Sequence, residues 1–368
     1  MLKTDCRFFP GDRPCVHHKE EGIKCNDCNY YKPIAFKILI IKLDAVGDVL
    51  RTTSILSPLK KKFPDSYIVW CTRENSKSLF RNNSFVDDVI IIDDDARFRI
   101  QAEEFDIVIN LDTSKMSSAI AADAKGKSKI GFVLNKKGYV EATSEAAKRW
   151  LEMSAFDDVK KANQKSYQQI MYEILDLELP VQHPIIRLTN SVKEEISKRD
   201  FIKRLNQNKP VIGLNVGVGT KWPSKGWSLK KWKELVEKPE ADNYNLLLLG
   251  GSDEAEIIEN LSKEYYYLID TGCKNSITEF AAIINLCDLI ITADTLALHI
   301  ATALDKKIIA LFGPTSANEI ELYGKGIKIF SQDGCKCYYR KNCLEKISCM
   351  EKINPELVIK SINELIAT

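Results

Sequence analysis

Short apolar runs alternate with amphipathic stretches along most of the chain. Ile38–Ile41 is continuous and apolar, the pattern of a strand buried on both faces of a parallel sheet. A Gly-containing turn follows, and the periodicity then predicts a helix from about Val49 to Lys62. Further strands are predicted near Tyr67–Cys71, Val89–Ile92 and Ile107–Asn110, with helical stretches between some of them. This βα alternation predicts a doubly wound domain. Leu177–Leu188 carries two prolines and weak periodicity, and reads as an inter-domain link. A second series begins with a strand at Val211–Val216, a Gly loop and a helix near Leu229–Glu237. Strand Asn245–Gly251 leads into a helix opened by Ser252, Asp253 and Glu254. Strand Leu289–Ala293 leads into a helix near Leu296–Leu304, and strand Lys307–Gly313 ends at Pro314. An amphipathic helix starts at Pro355.

The expected fold class is therefore α/β, with two Rossmann-like domains facing a cleft and ligands at the carboxyl ends of their strands. The expected divisions are a Cys-rich module over 1–33, an N-terminal domain over 34–180, a linker over 181–190, a C-terminal domain over 191–352 and a final helix over 353–368. The size of 368 residues and a hydrophobic fraction of 45% suit two globular domains. Lys and Arg number 53 against 51 Asp and Glu, so no global nucleic-acid footprint exists. The N-terminus has no apolar signal core, and no run is long enough to span a bilayer. A cytoplasmic protein is expected. Disulfides are rare there, so the 11 cysteines need another explanation.

Candidate chemistry lies in the strand-to-helix loops. In Lys42-Leu43-Asp44-Ala45-Val46-Gly47-Asp48, Gly47 permits a tight turn and Asp48 falls near the helix start. Taken alone, Asp48 reads as a helix cap before it reads as a catalytic base. The loop Asn215–Ser228 lies where a phosphate loop would, but lacks the Gly-Lys-Ser/Thr ending of a P-loop. Lys221 and Lys225 are both available to a diphosphate. Trp222 and Trp227 read as core first and cleft walls second. Glu254 suits ribose hydroxyls, or simply the helix dipole. Asp294 and Thr295 end a strand where backbone amides suit phosphate. His299 lies one turn further, and a lone histidine is more often structural than catalytic. Thr315 and Ser316 lie at another strand end.

Taken together, LDAVGDVLRTTS, PSKGW, LLLLGGSDE, TADTLALHIATAL, ALFGPTS and the final CKCYYRKNC…CM..INPE resemble the heptosyltransferases, family nine of the glycosyltransferases. The motifs occur in the family's order over roughly residues 36–360. The resemblance implies GT-B architecture, with an N-terminal acceptor domain and a C-terminal domain for a nucleotide sugar, commonly ADP-heptose. It implies inversion at the anomeric carbon with no cofactor for catalysis. Asp48 matches the family's general base, Lys225 its phosphate-binding lysine and Glu254 its ribose-binding glutamate. Asp294, Thr295 and His299 match its Asp-Thr-Gly…His segment, with Leu296 in place of the usual Gly; Lys221 and Thr315 complete the expected donor site. The expected partners are the nucleotide-sugar donor and a glycolipid or glycan acceptor of the lipopolysaccharide core, with peripheral contact at the inner membrane and no nucleic acid. The alternatives are a protein O-heptosyltransferase and a non-catalytic sugar-nucleotide-binding protein. Asp48 and Lys225 together favour an enzyme. A nicotinamide dehydrogenase is disfavoured, because no G-x-G-x-x-G follows the first strand.

Two cysteine sets remain. Cys6, Cys15, Cys25 and Cys28 are spaced C-x8-C-x9-C-x2-C, with His17 and His18 among them. Such thiol density in a cytoplasmic chain predicts structural zinc, with an iron–sulfur cluster as the alternative and His18 as an alternative ligand. Cys335, Cys337, Cys343 and Cys349 form a second candidate metal set. Cysteines at this place also belong to the resemblance, and one protein-modifying branch of the family holds iron with four. Cys71, Cys273 and Cys287 read as small core residues.

Overall fold

The computed structural model describes residues 1–367. They form two compact units. The first comprises residues 1–44, 55–151 and 171–182; the second comprises 45–54, 152–170 and 183 onward.

The first unit carries strands β1 (Lys37–Ile41), β2 (Tyr67–Thr72), β3 (Asp88–Ile91), β4 (Glu104–Asn110), β5 (Lys125–Leu134) and β6 (Val140–Ala142). Their order is β3-β2-β1-β4-β5-β6, parallel except for the β5–β6 pair. Leu39 stands opposite Val69 on β2 and Val108 on β4. All three are fully buried and pack with Ile41, Cys71 and Phe105. Burial on both faces explains why β1 and β2 read as unbroken apolar runs. Where β1 ends, buried Lys42 pairs with Asp112, whose Oδ2 also accepts the Leu43 N–H at 2.6 Å.

The second unit carries β7 (Val211–Asn215), β8 (Asn245–Leu249), β9 (Ile269–Asp270), β10 (Leu289–Ala293), β11 (Lys307–Phe312) and β12 (Gly326–Phe330). They are ordered β12-β11-β10-β7-β8-β9 and all parallel. The strand order reverses between β7 and β10, the switch point at which such sheets bind ligands. Trp227 and Trp232 are buried in this core with Leu248, Ile291 and Val358, and the Trp227 indole N–H donates to the Met350 carbonyl at 2.9 Å. Cys287 is buried and Cys273 packs against the same core.

The divisions differ from those expected in three places. Residues 1–33 group with the first unit rather than apart, and contiguous 34–180 does not hold, because 45–54 and 152–170 group with the second. The final helix, Pro355–Ala367, is not a separate element: Val358, Ile359 and Ile362 are buried in the core of the second unit. The single helix expected over Val49–Lys62 is broken into Val46–Thr52 and Leu56–Lys62 by a 3₁₀ turn at Thr53–Ile55. Pro58 in the second piece offers no N–H to continue the ladder.

Candidate active site

The second unit gathers most of the motif residues. Helix Val46–Thr52 belongs to it, and helix Leu296–Ala303 follows β10. They meet at Gly47, where an added Cβ would lie 2.7 Å from the His299 ring. Only glycine allows that approach. Asp48 is therefore not the N-cap, which is Ala45; it is the third helical residue, and its Oδ2 accepts the Ala45 N–H at 3.3 Å. Its other oxygen pairs with Arg51 at 2.7 Å. The Asp48 side chain is 35% exposed, whereas that of Arg51 is 11% exposed. The carboxylate is thus both reachable from solvent and held in place. The Arg51 guanidinium lies 3.7 Å over the Tyr167 ring, and the Tyr167 hydroxyl is 2.6 Å from Thr52 Oγ1.

Asp294 lies beyond the end of β10, with Thr295 as the N-cap of the next helix. Lys225 Nζ is 3.2 Å from Asp294 Oδ2 and donates to the Asp294 carbonyl at 3.2 Å. His299 Nε2 is 3.9 Å from Asp294 Oδ1. Burial alone would raise the Asp294 carboxyl, but Lys225, His299 and Arg51 more than offset it and hold it below the usual carboxylate range. Burial, helped by Arg51, pushes the His299 imidazole down to about 4 against the pull of Asp294 and Asp48. The ring is neutral at pH 7 and can accept or donate one hydrogen bond at Nε2 according to its tautomer. Thr295 Oγ1 is 3.0 Å from Thr292 Oγ1, and the Asn215 amide donates to both hydroxyls.

Glu254 closes the loop after β7. Its Oε1 accepts the Gly219 N–H at 2.9 Å and its Oε2 the Gly251 N–H at 2.8 Å. A Cβ on Gly217 would fall 1.7 Å from Glu254 Cγ, so this loop too needs glycine. Lys221 is exposed and Leu296 partly so, while Thr315 and Ser316 are buried beyond β11. Trp227 belongs to the core, and Trp222 stands 6.4 Å from Tyr339 in an edge-to-face contact.

Several participants were not read from the sequence. Arg51 lies one turn after Asp48, and that spacing was the available signal. Glu319 has a side chain 6% exposed and lies 3.7 Å from Lys160, accepting the Tyr339 hydroxyl at 3.2 Å. Burial raises its pKa, with Lys160 and Arg51 opposing. Lys160 also sits 3.8 Å over the Tyr339 ring. No local pattern ties residues 160, 319 and 339 together.

The second cysteine set converges. Cys335, Cys337, Cys343 and Cys349 line one cavity of about 20 Å³. Cys343 Sγ is 3.6 Å from Cys337 Sγ, which also accepts the Leu344 N–H at 3.1 Å. That N–H holds the Cys337 thiol below its ordinary range, while burial pushes Cys349 up to about 12. Among the described residues no three His, Cys, Asp or Glu side chains are already set at metal-ligand spacing. In the first set His17 lines the cavity of the four cysteines, whereas His18 is exposed, lines a neighbouring cavity with Cys15 and Cys25, and has Nδ1 on the Ile23 carbonyl at 3.0 Å.

Among the described residues no helix is long and apolar enough to cross a membrane. The chain is 24% identical to lipooligosaccharide heptosyltransferase 2 of Haemophilus influenzae, over 90% of this chain and 99% of that one. A glycosyl transferase family 9 structure from Veillonella parvula superposes with a TM-score of 0.74 at 20% identity, covering 91% of this chain and 98% of the other. The E. coli ADP-heptose lps heptosyltransferase II superposes with a TM-score of 0.66 at 20% identity, covering 90% and 99%. Both share the fold of two parallel-sheet Rossmann-like domains, the GT-B architecture. The model of glycosyltransferase family 9 (heptosyltransferase) matches residues 96–351, and with that match over most of its length the chain belongs to this family of transferases.

Proposed function

We propose that the protein moves heptose from ADP-heptose to a hydroxyl of a lipopolysaccharide-core acceptor, inverting the anomeric carbon. The carrying observation is that Asp48, held by Arg51, shares one unit with the Lys225–Asp294–His299 cluster at the switch point of the sheet. The names of the relatives point to the same donor and acceptor. In the proposed reaction the acceptor oxygen attacks the anomeric carbon and its proton passes to the Asp48 carboxylate. The bond from that carbon to the phosphate oxygen breaks, and its electron pair leaves with ADP. Lys225 meets the charge that develops on the diphosphate, together with the backbone amides at Thr295 and Leu296. Leu296 narrows the approach to the sugar. Glu254, with both oxygens on backbone amides, shapes the loop and retains lone pairs for ribose hydroxyls. Lys221 and Thr315 flank this donor site.

The acceptor side falls to the first unit. A groove of about 860 Å³ there is lined by Arg73, Arg97 and Lys136, by Asp93 and Asp94, and by apolar Ile92 and Met116. Such a mixture suits an acidic glycan carrying a lipid, met at the cytoplasmic face of the inner membrane. The transfer itself needs no cofactor. The second cysteine set fits one tetrahedral ion by its donor chemistry. Bound there, an ion would order the segment that brings Tyr339 to Glu319 and the Arg340 carbonyl to the Ser224 hydroxyl at 2.8 Å.

The test is incubation of the full chain with ADP-heptose and heptose-deficient lipopolysaccharide core. Mass spectrometry should show one added heptose, and NMR of the product an inverted anomeric centre. Transfer to a polypeptide but not to the glycolipid would select the protein O-heptosyltransferase reading. Donor binding without product on either acceptor would select the non-catalytic one.

A further inference from the structure

The geometry points to a structural zinc site of the Cys₄ class in residues 1–33, made by Cys6, Cys15, Cys25 and Cys28. All four thiols line a single cavity of about 30 Å³ in the first unit, and all four are unpaired by disulfide. The chain is brought to this arrangement by backbone bonds. Cys6 bridges Pro33 as an isolated antiparallel pair, and the Arg7 N–H donates to the Lys32 carbonyl at 2.8 Å. Cys25–Asp27 forms one 3₁₀ turn, and the Tyr31 N–H reaches back to the Cys28 carbonyl. That turn carries the C-x2-C pair to the cavity that Cys6 and Cys15 also line.

Two further observations select a metal. No residue of 1–33 is buried in the sense that the sheet residues are, so the segment has no apolar core to hold it folded. A ligand-bound ion supplies that stabilisation in small modules. His17 also lines the cavity; its ring stacks on Tyr30 at 3.9 Å and meets the Phe8 edge at 4.7 Å. Its Nε2 is nonetheless buried with no hydrogen-bond partner. A thiolate sulfur carrying metal charge gives that N–H an acceptor, as outer groups do around ligands. Lys3 lies at the same cavity, and its charge opposes the excess negative charge of four thiolates on a divalent ion.

The donor set selects zinc: four thiolates are the ligands of a closed tetrahedral structural zinc site. Binding releases the thiol protons, and affinity must therefore rise with pH. The module is in turn fastened to the first unit: Arg7 donates to the Ser66 carbonyl at 3.0 Å and pairs with Asp87 at 3.6 Å, while Lys32 pairs with Asp65 at 3.3 Å.

The test uses the full chain, grown with zinc and purified without oxygen. Elemental analysis compares the parent with Cys25→Ser/Cys28→Ser and with Cys335→Ser/Cys337→Ser. The first variant should hold about one zinc fewer per chain and expose residues 1–33 to limited proteolysis, with ADP affinity unchanged. The second should keep the N-terminal zinc. Cobalt exchanged into the second variant should give the intense thiolate-to-cobalt absorption and visible bands of a tetrahedral site, which needs no folding of a damaged N-terminus. His17→Phe should keep the metal but release it faster to a chelator. Equal zinc in the parent and in Cys25→Ser/Cys28→Ser would overturn the site. So would iron and sulfide lost together in that variant, or an N-terminal disulfide in reduced protein.

Discussion

Gly47→Ala separates two opposed physical effects at the centre of the site. Gly47 lies in helix Val46–Thr52, and replacing a helical glycine by alanine ordinarily stabilises by roughly 0.5–1 kcal/mol. Here the new Cβ would meet His299 Cδ2 at 2.7 Å. The ring cannot swing away freely, because His299 is only 6% exposed. Overpacking of this kind costs about 1–3 kcal/mol, so the expected net change is a destabilisation of roughly 0.5–2 kcal/mol once the helical gain is subtracted. For a unit of this size each kcal/mol lowers Tm by about 2–4 °C. The decisive assay is a double-mutant cycle with His299→Ala, followed by thermal and urea unfolding. With the ring gone, Gly47→Ala should become neutral or stabilising, giving a coupling of about 1–3 kcal/mol. Turnover should also fall in Gly47→Ala, since displacing the helix displaces Asp48. A Gly47→Ala protein as stable as the parent, or equal effects in both backgrounds, would refute the contact.

Other substitutions test the roles separately. Asp48→Asn should lower kcat by about 10²–10⁴-fold, with ADP affinity by calorimetry unchanged; normal turnover rejects the base. Lys225→Ala should weaken ADP binding and slow transfer by up to about 10²–10³-fold, whereas Lys221→Ala should do little; the reverse ranking means that the wrong lysine was chosen. His299 is held at about 4 against an ordinary 6.5, so the unfolded chain binds the proton first as pH drops. Stability therefore falls between about pH 6.5 and 4, by up to ~3 kcal/mol from this group. His299→Gln should flatten that slope in urea titrations, leaving the part due to Asp294; an unchanged slope would show that the ring titrates normally.

Much of this was legible because parallel strands buried on both faces write themselves as apolar runs. Ile38–Ile41, Asn245–Leu249 and Leu289–Ala293 are of that kind, and the loops and helical turns just after them carry Asp48, Glu254 and Asp294. Strands with weaker writing were missed. β5 contains Lys125, Lys127 and Lys129 and two glycines, β9 is two residues long, and β12 is a half-buried edge. The assignment of helix Val46–Thr52 to the second unit was also out of reach. It depends on the fit of Gly47 against His299, residues 252 positions apart in number, and local periodicity contains no such term. The same limit hid Glu319, Lys160 and Tyr339, which meet through three separate segments.

The ion pairs of the site change how the residues read from the sequence must act. Lys225 is the lysine the motif assigns to phosphate, yet here it is already bound by Asp294. Asp294 in turn faces His299, and Asp48 faces Arg51. Lys225 and Arg51 thus each have an acid beside them before any diphosphate arrives. A buried or half-buried carboxylate cannot simply be left alone, because an unpaired charge there is costly. In the proposed reaction, phosphate oxygens that draw on Lys225 would leave Asp294 to be compensated by what remains: the neutral His299 ring, as an Nε2–H donor, and the Arg51 charge that already lowers its pKa. Removing Lys225 therefore does two things at once. It takes a cation from the leaving group and it leaves Asp294 under-paired. Lys225→Ala/Asp294→Asn should for that reason be more stable than Lys225→Ala alone while remaining as poor at binding ADP. If the double variant regained ADP affinity, Asp294 repulsion rather than loss of the lysine would explain the single variant, and the assignment of Lys225 to the leaving group would fail.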